Sequence, residues 1–303
     1  MNKKTILITG ATGMVASKLI PLLTQKGFAI NTLSRLPINQ LGVKSYLWDV
    51  SKNIINEEAV LSANFIIHLA GENVATKRWT AERKKAILES RISSTNLLFS
   101  VLEKHKHLLD GYVGASAIGY YGDRGQENLS EDCMPKKSFL SDVCVAWEQA
   151  HLKMSQFSNR VIIFRIGVVL DKKEGALKEM MQTLPLSLSC LGNGEQSTSY
   201  IHIDDLIKMI AFGIENTTMN GVYNAVNPEV VSNKELIKTL SQYKKSVLPI
   251  TSVPSFMLKI IMGEAATIAL GSQNCSADKI VRSGFSFSYP TINLVFKNLF
   301  ENE

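Results

Sequence analysis

The most informative segment of this 303-residue chain is Thr5-Ile6-Leu7-Ile8-Thr9-Gly10-Ala11-Thr12-Gly13-Met14-Val15-Ala16. Its first five residues form a short apolar run that is typical of a buried strand. From residue 13 to residue 26 apolar side chains recur at helical spacing, among them Leu19 and Leu23. Gly27 follows where glycine commonly ends a helix. The pattern predicts a strand, a tight turn and a helix.

The turn between these two elements consists of small residues that allow close approach of a ligand. Gly10 and Gly13 permit the turn, and Ala16 stands where a dinucleotide-binding fingerprint accepts Gly or Ala. Backbone amides at the start of the helix would stabilise a pyrophosphate. The spacing is G-x-x-G-x-x-A and not G-x-G-x-x-G. Its place in the first turn of the chain still predicts a dinucleotide site at Gly10, Thr12, Gly13 and Met14.

The end of the second predicted strand, Ala29–Leu33, indicates which dinucleotide is bound. An NAD site usually has Asp or Glu there for the ribose 2′-hydroxyl, whereas arginine accommodates a 2′-phosphate. This chain has Ser34 and Arg35. These residues favour NADP(H) over NAD(H), with Arg35 as a plain loop charge as the alternative.

Strands and helices continue to alternate beyond this point. Further strands are predicted at Ser45–Trp48, Phe65–Leu69, Tyr112–Ala115 and Val161–Ile166. Helices are predicted at Thr80–Lys104, Ser141–Phe157, Ile203–Ile214 and Ser232–Gln242. This alternation predicts an α/β protein with a Rossmann-type doubly wound parallel sheet.

The alternation weakens after Gly167, which suggests two domains. Residues 1–166 with about 200–225 are predicted to form the NADP-binding Rossmann domain. Residues from about 167 to 199, with 226–303, are predicted to form a smaller, mostly helical substrate-side domain. Within it, Pro249–Pro254 reads as a linker.

Composition and charge exclude several classes of protein. Apolar residues make up 45% of the chain and charged residues 20%, as in globular proteins. The net charge is +6, but the basic residues are scattered in pairs and form no nucleic-acid or membrane patch. No apolar stretch predicts a signal peptide or a spanning helix. We expect a cytoplasmic protein with a small-molecule substrate and neither a nucleic-acid nor a membrane partner.

The cysteines give no sign of a metal site or a disulfide framework. They lie far apart, and no C-x-x-C spacing occurs. Reduced thiols and no bound metal are therefore expected. The cysteines are Cys133, Cys144, Cys190 and Cys275.

Motifs spread over nearly the whole chain point to one family. They are His68-Leu69-Ala70-Gly71-Glu72, Ser90-Arg91-Ile92-Ser93-Ser94-Thr95, Ser116-Ala117-Ile118-Gly119-Tyr120-Tyr121-Gly122, Trp147-Glu148, Arg165-Ile166-Gly167-Val168-Val169-Leu170, Tyr200-Ile201-His202-Ile203-Asp204-Asp205-Leu206, and the block from Gly263-Glu264-Ala265 to Gly284-Phe285-Ser286-Phe287. With the first turn, they resemble the extended, atypical branch of the short-chain dehydrogenase/reductase superfamily. Within it they resemble the epimerase-like subgroup of sugar-nucleotide epimerases with an extra C-terminal domain.

The resemblance implies an NADP(H)-binding Rossmann domain and several cofactor contacts. Leu69, Ala70 and Gly71 should line the cofactor, and Val168 should touch its nicotinamide end. Arg91 stands where extended members usually carry Asn. It is expected to reach the cofactor phosphates, with a surface arginine on a helix as the alternative.

One departure from the family bears on the chemistry. Typical members have a Tyr-x-x-x-Lys pair, in which the tyrosine transfers a proton. The lysine lowers the pKa of that tyrosine and holds the nicotinamide ribose. Counting back from Glu148, the tyrosine position is Leu140 and the lysine position is Cys144, and a register shifted by one gives Phe139 and Val143. Neither register contains the pair. The usual mechanism therefore does not carry over to this chain.

Three residues remain as candidates for the catalytic chemistry. Ser116 matches the family's catalytic serine at the end of a predicted strand. Tyr120 or Tyr121 would supply a phenol near it. The alternative is that one tyrosine packs under the sheet edge and the other forms a hydrogen bond to the loop.

Two functions from different classes follow. The first is an NADP(H)-dependent oxidoreductase or epimerase-like enzyme that transfers a hydride at a hydroxyl or carbonyl carbon, with nucleotide sugars among the candidate substrates. The second is a non-catalytic NADP(H)-binding regulatory or interaction module, which the missing tyrosine–lysine pair suggests. By family analogy a homodimer is also expected.

Overall fold

The computed structural model describes residues 3–75, 77–182, 188–244 and 250–301. The strands in these ranges are β1 (Thr5–Thr9), β2 (Ala29–Ser34), β3 (Val43–Asp49), β4 (Ile54–Ile55), β5 (Phe65–His68), β6 (Gly111–Ala117), β7 (Asn128–Leu129), β8 (Val161–Ile166), β9 (Val168–Leu170), β10 (Ser189–Leu191), β11 (Ser197–Thr198), β12 (Tyr200–His202), β13 (Gly221–Ala225), β14 (Val231–Ser232), β15 (Thr251–Val253) and β16 (Asn274–Cys275). The helices are α1 (Met14–Gln25), α2 (Glu57–Leu61), α3 (Ala81–His105), α4 (Phe139–Leu152), α5 (Gly175–Gln182), α6 (Ile203–Glu215), α7 (Asn233–Lys244), α8 (Ser255–Met262), α9 (Thr267–Leu270), α10 (Asp278–Arg282) and α11 (Ile292–Glu301).

One large sheet organises the fold. Among the described residues it has eight strands, in the order β13-β8-β6-β5-β1-β2-β3-β4. The neighbouring strands are parallel except for the short antiparallel pair of β3 and β4. The chain moves from β1 toward β3 on one side and from β5 toward β13 on the other. The doubly wound Rossmann prediction is confirmed, and its switch point lies between β1 and β5.

Helices cover both faces of this sheet because its central strands are apolar on both sides. On one face, Ile6 and Ile8 pack in a buried cluster with residues of α1 and α6. On the other, Leu7 packs in a second buried cluster with residues of α3. The alternation along β1 fixes which side chains point to each layer. The two clusters hold the carboxyl ends of the strands along one edge.

Several element boundaries differ from the sequence predictions. β5 ends at His68, because the Leu69 amide leaves the ladder and donates to the Thr9 hydroxyl at 3.2 Å. α4 ends at Leu152, and the chain continues in a 3-10 turn over Lys153–Gln156. Helical spacing alone does not distinguish these two forms of the last turn.

The edge strand β13 was not predicted as a strand. Its sequence GVYNA is short and contains Asn224, which is fully buried. The Asn224 amide donates to the carbonyls of Leu129 and Ser276, both at 3.0 Å. These bonds let a polar side chain occupy the core, which single-sequence patterning does not anticipate.

Helices predominate in the described residues that follow β13. α7 and α11 pack in a third buried cluster that includes Leu236, Leu240 and Phe296. The predicted linker Pro249–Pro254 begins outside the described residues. Within it, Thr251–Val253 forms β15, which pairs in parallel with β10. Asp205 joins this region to α6, because its carboxylate accepts the amides of Ser288 at 2.9 Å and Tyr289 at 3.0 Å.

Two expectations from composition are compatible with the described residues. The four cysteines are free thiols, and three of them are buried. Within the ranges given above, the helices are too short or too polar to cross a bilayer.

We expect Asp205→Ala to destabilise the fold. Asp205 is buried and accepts two backbone amides, so the substitution should lower the free energy of unfolding by about 2–4 kcal/mol. Asp204→Ala is the matched control. Its side chain is 40% exposed at the same helix start, so its loss should stay below about 1 kcal/mol. Urea unfolding measures both. Equal losses would contradict the assigned role of Asp205.

Candidate active site

A crevice opens at the carboxyl ends of β1, β2 and β5, the switch point of the sheet. It encloses about 700 Å³. Most of the predicted cofactor residues line it, and this position is where doubly wound folds bind nucleotides. Those residues are Gly10, Thr12, Gly13, Ser34, Arg35, Leu69, Ala70 and Gly71.

Gly10 allows the backbone of the first turn to lie close to the backbone of Leu69 in this crevice. It has φ +69°, and a Cβ atom there would lie 2.9 Å from both the carbonyl carbon and the oxygen of Leu69. Gly13 caps α1 in an extended conformation, and its amide donates to the Gly10 carbonyl at 2.9 Å. The first turn of α1 has neither a side-chain cap nor an acidic residue. Its amides are therefore available to a bound phosphate.

A buried chain of hydrogen bonds holds the opposite wall in place. The Thr9 hydroxyl accepts the amides of Leu69 and Ala70, each at 3.2 Å. Its own proton is donated to His68 Nδ1, at 2.6 Å. His68 Nε2 then donates to the Ser94 hydroxyl at 3.1 Å, and Ser94 donates to backbone carbonyls of α3. This pattern fixes a neutral His68 with its proton on Nε2.

A second buried histidine lies directly beneath His68. The rings of His68 and His151 are 5.6 Å apart. Tyr112 donates its hydroxyl proton to His151 Nδ1 at 2.7 Å, and His151 Nε2 donates to the Ala115 carbonyl at 3.0 Å. Burial lowers the pKa of His151 to about 3. Burial, reinforced by His151, also lowers the pKa of His68 well below its usual value.

The rim of the crevice includes residues that sequence reasoning missed. Asp49, Val50 and Ser51 line it at the end of β3. The Asp49 carboxylate accepts the Ser51 hydroxyl at 2.6 Å and the Ser51 amide at 3.0 Å. These bonds lower the pKa of Asp49 and cap a short turn. The Trp48-Asp49 pair at the end of a strand was the available signal.

Three predicted cofactor residues lie outside the lining of this cavity. Arg91 lies behind Gly71, and its Nη1 donates to the carbonyls of Glu72 and Ile87, each at 3.0 Å. Met14 begins α1, and Val168 begins β9.

Ser116 lies at the end of β6 in a buried polar network. Its hydroxyl donates to Glu148 Oε1 at 2.6 Å. Arg165 binds the same carboxylate through Nε and Nη2, each at 2.9 Å. The sequence contains both residues in family motifs, but their pairing depends on how α4 packs against β8. Because its only proton is used by Glu148, Ser116 can accept a further hydrogen bond but not donate one.

Tyr120 and Tyr121 differ in the hydrogen bonds that their hydroxyl groups form. Tyr121 is buried, donates to Asn224 Oδ1 at 2.7 Å and accepts from Arg165 Nη1 at 2.9 Å. Burial raises the pKa of Tyr121 well above its usual value, even though Arg165 opposes the shift. The half-buried Tyr120 stacks its ring 3.4 Å from the Arg165 guanidinium carbon. Its hydroxyl has no hydrogen-bond partner among the residues that the structure describes.

No tyrosine–lysine pair forms on α4. Cys144 is buried, and burial raises the pKa of its thiol to about 11. It is a small buried residue and not an activated nucleophile. Leu140 contacts Gly119 and lines a second cavity of about 940 Å³.

This second cavity lies between the loop before α4 and the C-terminal helices. Lys136, Lys137 and Leu140 form one wall, and Lys259 and Thr267 belong to another. In the described ranges, no group of three or more His, Cys, Asp or Glu side chains is arranged to hold a metal.

The doubly wound sheet, with a glycine turn at its switch point, defines a Rossmann-type dinucleotide-binding protein. The model of the NAD dependent epimerase/dehydratase family matches residues 6–227. The chain belongs to this family. Residues 253–299 match DUF1731, a domain of unknown function. The resemblance found in the motifs is thereby confirmed, and so is a nicotinamide cofactor at the level of the family.

Individual relatives match nearly the whole chain. An epimerase family protein of Staphylococcus saprophyticus is 32% identical over 300 residues, which cover 98% of this chain and 99% of that one. The structure of the human epimerase family protein SDR39U1 with NADPH has a TM-score of 0.87 and 26% identity, and covers 99% of this chain and 100% of that one. A nucleoside-diphosphate sugar epimerase from Corynebacterium glutamicum has a TM-score of 0.78 and 28% identity, and covers 99% of this chain and 59% of that one.

We expect Gly10→Ala to weaken dinucleotide binding. The new Cβ would collide with the Leu69 backbone and displace the crevice wall, which should reduce affinity about tenfold or more, or ~1.4 kcal/mol. Gly42→Ala is the matched control, because Gly42 has φ +78° and no atom within 4 Å of its Cβ position. Calorimetric titration with NADPH checks both variants. Similar affinities in the two variants would contradict the role assigned to the close approach between Gly10 and Leu69.

Stability should fall in acid because of the buried histidines. The unfolded chain takes up protons below pH 6.5, whereas folded His151 does so only near pH 3. The free energy of unfolding should therefore decrease by about 1.4 kcal/mol per pH unit per buried histidine as the pH falls through this window. Urea unfolding at several pH values measures the slope. In His151→Gln the free energy of unfolding should depend less steeply on pH, because one buried histidine no longer contributes. An unchanged slope would refute this assignment.

Proposed function

We propose that this chain is an NADP(H)-dependent oxidoreductase or epimerase-like enzyme. The observation that carries this proposal is the presence of two cavities. One is the crevice lined by Gly10, and the other is the second cavity, which is lined by Leu140 and Gly119. Leu140 occupies the family position of the proton-transferring tyrosine. A bound nicotinamide would exchange a hydride with a hydroxyl or carbonyl carbon of a small molecule in that cavity.

The crevice fits NADP(H) better than NAD(H). Arg35 is exposed on its rim immediately after β2, so that Ser34 and Arg35 stand where an NAD site has the Asp or Glu that binds the ribose 2′-hydroxyl. A guanidinium there would form charge-assisted hydrogen bonds with a 2′-phosphate. Support also comes from human SDR39U1, which was crystallised with NADPH.

The substrate would bind on the side of the second cavity. Residues 1–166 and about 200–225 would hold the cofactor, and residues from about 167 to 199 with 226–303 would face the substrate. A nucleotide sugar is the candidate that the name of the corynebacterial relative suggests.

Different residues of the chain would orient the substrate and transfer the proton at the reacting carbon. Ser116 has its proton bound to Glu148, so it would accept a hydrogen bond from a substrate hydroxyl and orient it. Tyr121 is bound on both sides by Asn224 and Arg165, which leaves Tyr120 as the phenol with a free hydroxyl. We therefore favour Tyr120 over Tyr121 for proton transfer.

The second candidate is a non-catalytic NADP(H)-binding regulatory module. The observation that favours it is the apolar Leu140 at the position of the family's phenol, with a thiol of raised pKa at the lysine position. Such a module would bind the cofactor and discriminate its redox states without turnover.

Titration calorimetry with NADPH, NADP, NADH and NAD tests the proposal. We expect NADPH or NADP to bind most tightly, and Arg35→Ala to weaken them by about 10–100-fold while changing NADH little. A panel of alcohols, ketones and nucleotide sugars, followed by nicotinamide absorbance, then tests turnover. Binding without turnover would favour the regulatory module, and the absence of binding to all four dinucleotides would overturn both functions.

A further inference from the structure

The side chain of Arg91 carries a charge without an acidic partner. It is half-buried on α3, and its Nη1 donates to two backbone carbonyls. Glu72, a carboxylate of this loop that acts on Arg91 electrostatically, forms its ion pair with Arg83 at 2.9 Å. In the described part of the chain Arg91 forms no ion pair. A cation withdrawn from water without an ion pair of its own is unfavourable, so an anionic or strongly polar ligand would stabilise it.

The guanidinium lies between the cofactor crevice and α4. On one side, a Cβ atom at Gly71, which lines the crevice, would be 3.1 Å from the guanidinium carbon. On the other side, that carbon is 4.9 Å from the centre of the Trp147 ring, one helical turn beyond Cys144. Arg91 also interacts with the Cys144 thiol, where it partly offsets the effect of burial on the thiol pKa.

These contacts relate two departures from the family pattern. Cys144 occupies the lysine position on α4, and Arg91 occupies the asparagine position on α3. A lysine at position 144 beside Arg91 would place two cations together in a partly dry region, which like-charge repulsion disfavours. With a thiol there, the region keeps one cation. Because Gly71 lacks a Cβ atom, there is room for the guanidinium beside it.

We propose that Arg91 supplies from α3 the positive charge that the family's lysine supplies from α4, and that it serves the nicotinamide-ribose half of the cofactor. This assignment rests on the proposed NADP(H) binding. It differs from the sequence expectation, which placed Arg91 at the cofactor phosphates. Arg91 is absent from the lining of the crevice that contains Arg35, whereas it contacts the helix whose lysine position is occupied by Cys144.

Binding of two ligands distinguishes contacts with the nicotinamide-ribose half of the cofactor from contacts with the rest of it. NADPH contains both halves, whereas 2′-phosphoadenosine 5′-diphosphate keeps the 2′-phosphate and both bridging phosphates but lacks the nicotinamide ribose. We expect Arg91→Gln to weaken NADPH about tenfold or more and to change the affinity for this diphosphate by less than about twofold. Arg35→Ala should weaken both ligands. Arg91→Lys, which keeps the charge, should retain most of the NADPH affinity.

A second test moves the positive charge from α3 to α4 by a double substitution. Arg91→Asn combined with Cys144→Lys should recover NADPH affinity that Arg91→Asn alone loses. Recovery would support the proposal, and a folded double variant without recovery would overturn it. Thermal unfolding identifies variants that do not fold, in which case the Arg91→Gln comparison decides.

Other outcomes are equally decisive. An equal loss for both ligands in Arg91→Gln would assign Arg91 a merely structural role, through the carbonyls of Glu72 and Ile87, and would overturn the proposal. So would unchanged NADPH binding. If the unsubstituted protein binds no NADPH, the proposed function itself fails, which is distinct from a failure confined to Arg91.

Discussion

The candidate site depends on how closely the first turn of the chain approaches the backbone after β5. Gly10 lies against the Leu69 carbonyl at a distance that leaves no space for a side chain. Thr9, the preceding residue, binds the next two amides of the same backbone through its hydroxyl. One residue therefore permits the approach and its neighbour holds it. His68 and Ser94 extend this support into α3, so the crevice wall is fixed by packed, fully bonded groups and not by the loop alone.

The polar residues around the candidate reaction centre are also held by one another. Glu148 accepts from Ser116 and from two nitrogens of Arg165, and Arg165 in turn binds the Tyr121 hydroxyl. A buried carboxylate with these partners is satisfied, as burial requires. The same saturation restricts the chemistry, because a side chain whose proton is already donated is available only as an acceptor. Ser116, for example, can accept a hydrogen bond from a ligand but has no second proton to donate.

Local patterns in the sequence were sufficient for the first turn, for most strands of the sheet and for most of the crevice. Gly10 and Arg35 could be assigned because a strand, a turn and a helix succeed one another within a few residues. The network of Glu148 and Arg165 could not, because these residues are brought together only when α4 packs on β8. β13 was missed because Asn224 interrupts its apolar pattern, and the bonds that compensate for its burial come from distant segments. Sequence patterning therefore succeeded where neighbours in the chain are also neighbours in space.

The position of β13 in the chain has a consequence for how the molecule is assembled. This strand completes the sheet by pairing with β8, yet β9 to β12 and helices α5 and α6 come between the two. During synthesis, β8 emerges first and remains an open edge until the chain has passed through those elements and returned. The strands of the sheet therefore do not come from one continuous segment of the sequence. A gene fragment that ended after β8 would encode an exposed strand edge, and it would also lack Asn224, the partner of the Tyr121 hydroxyl.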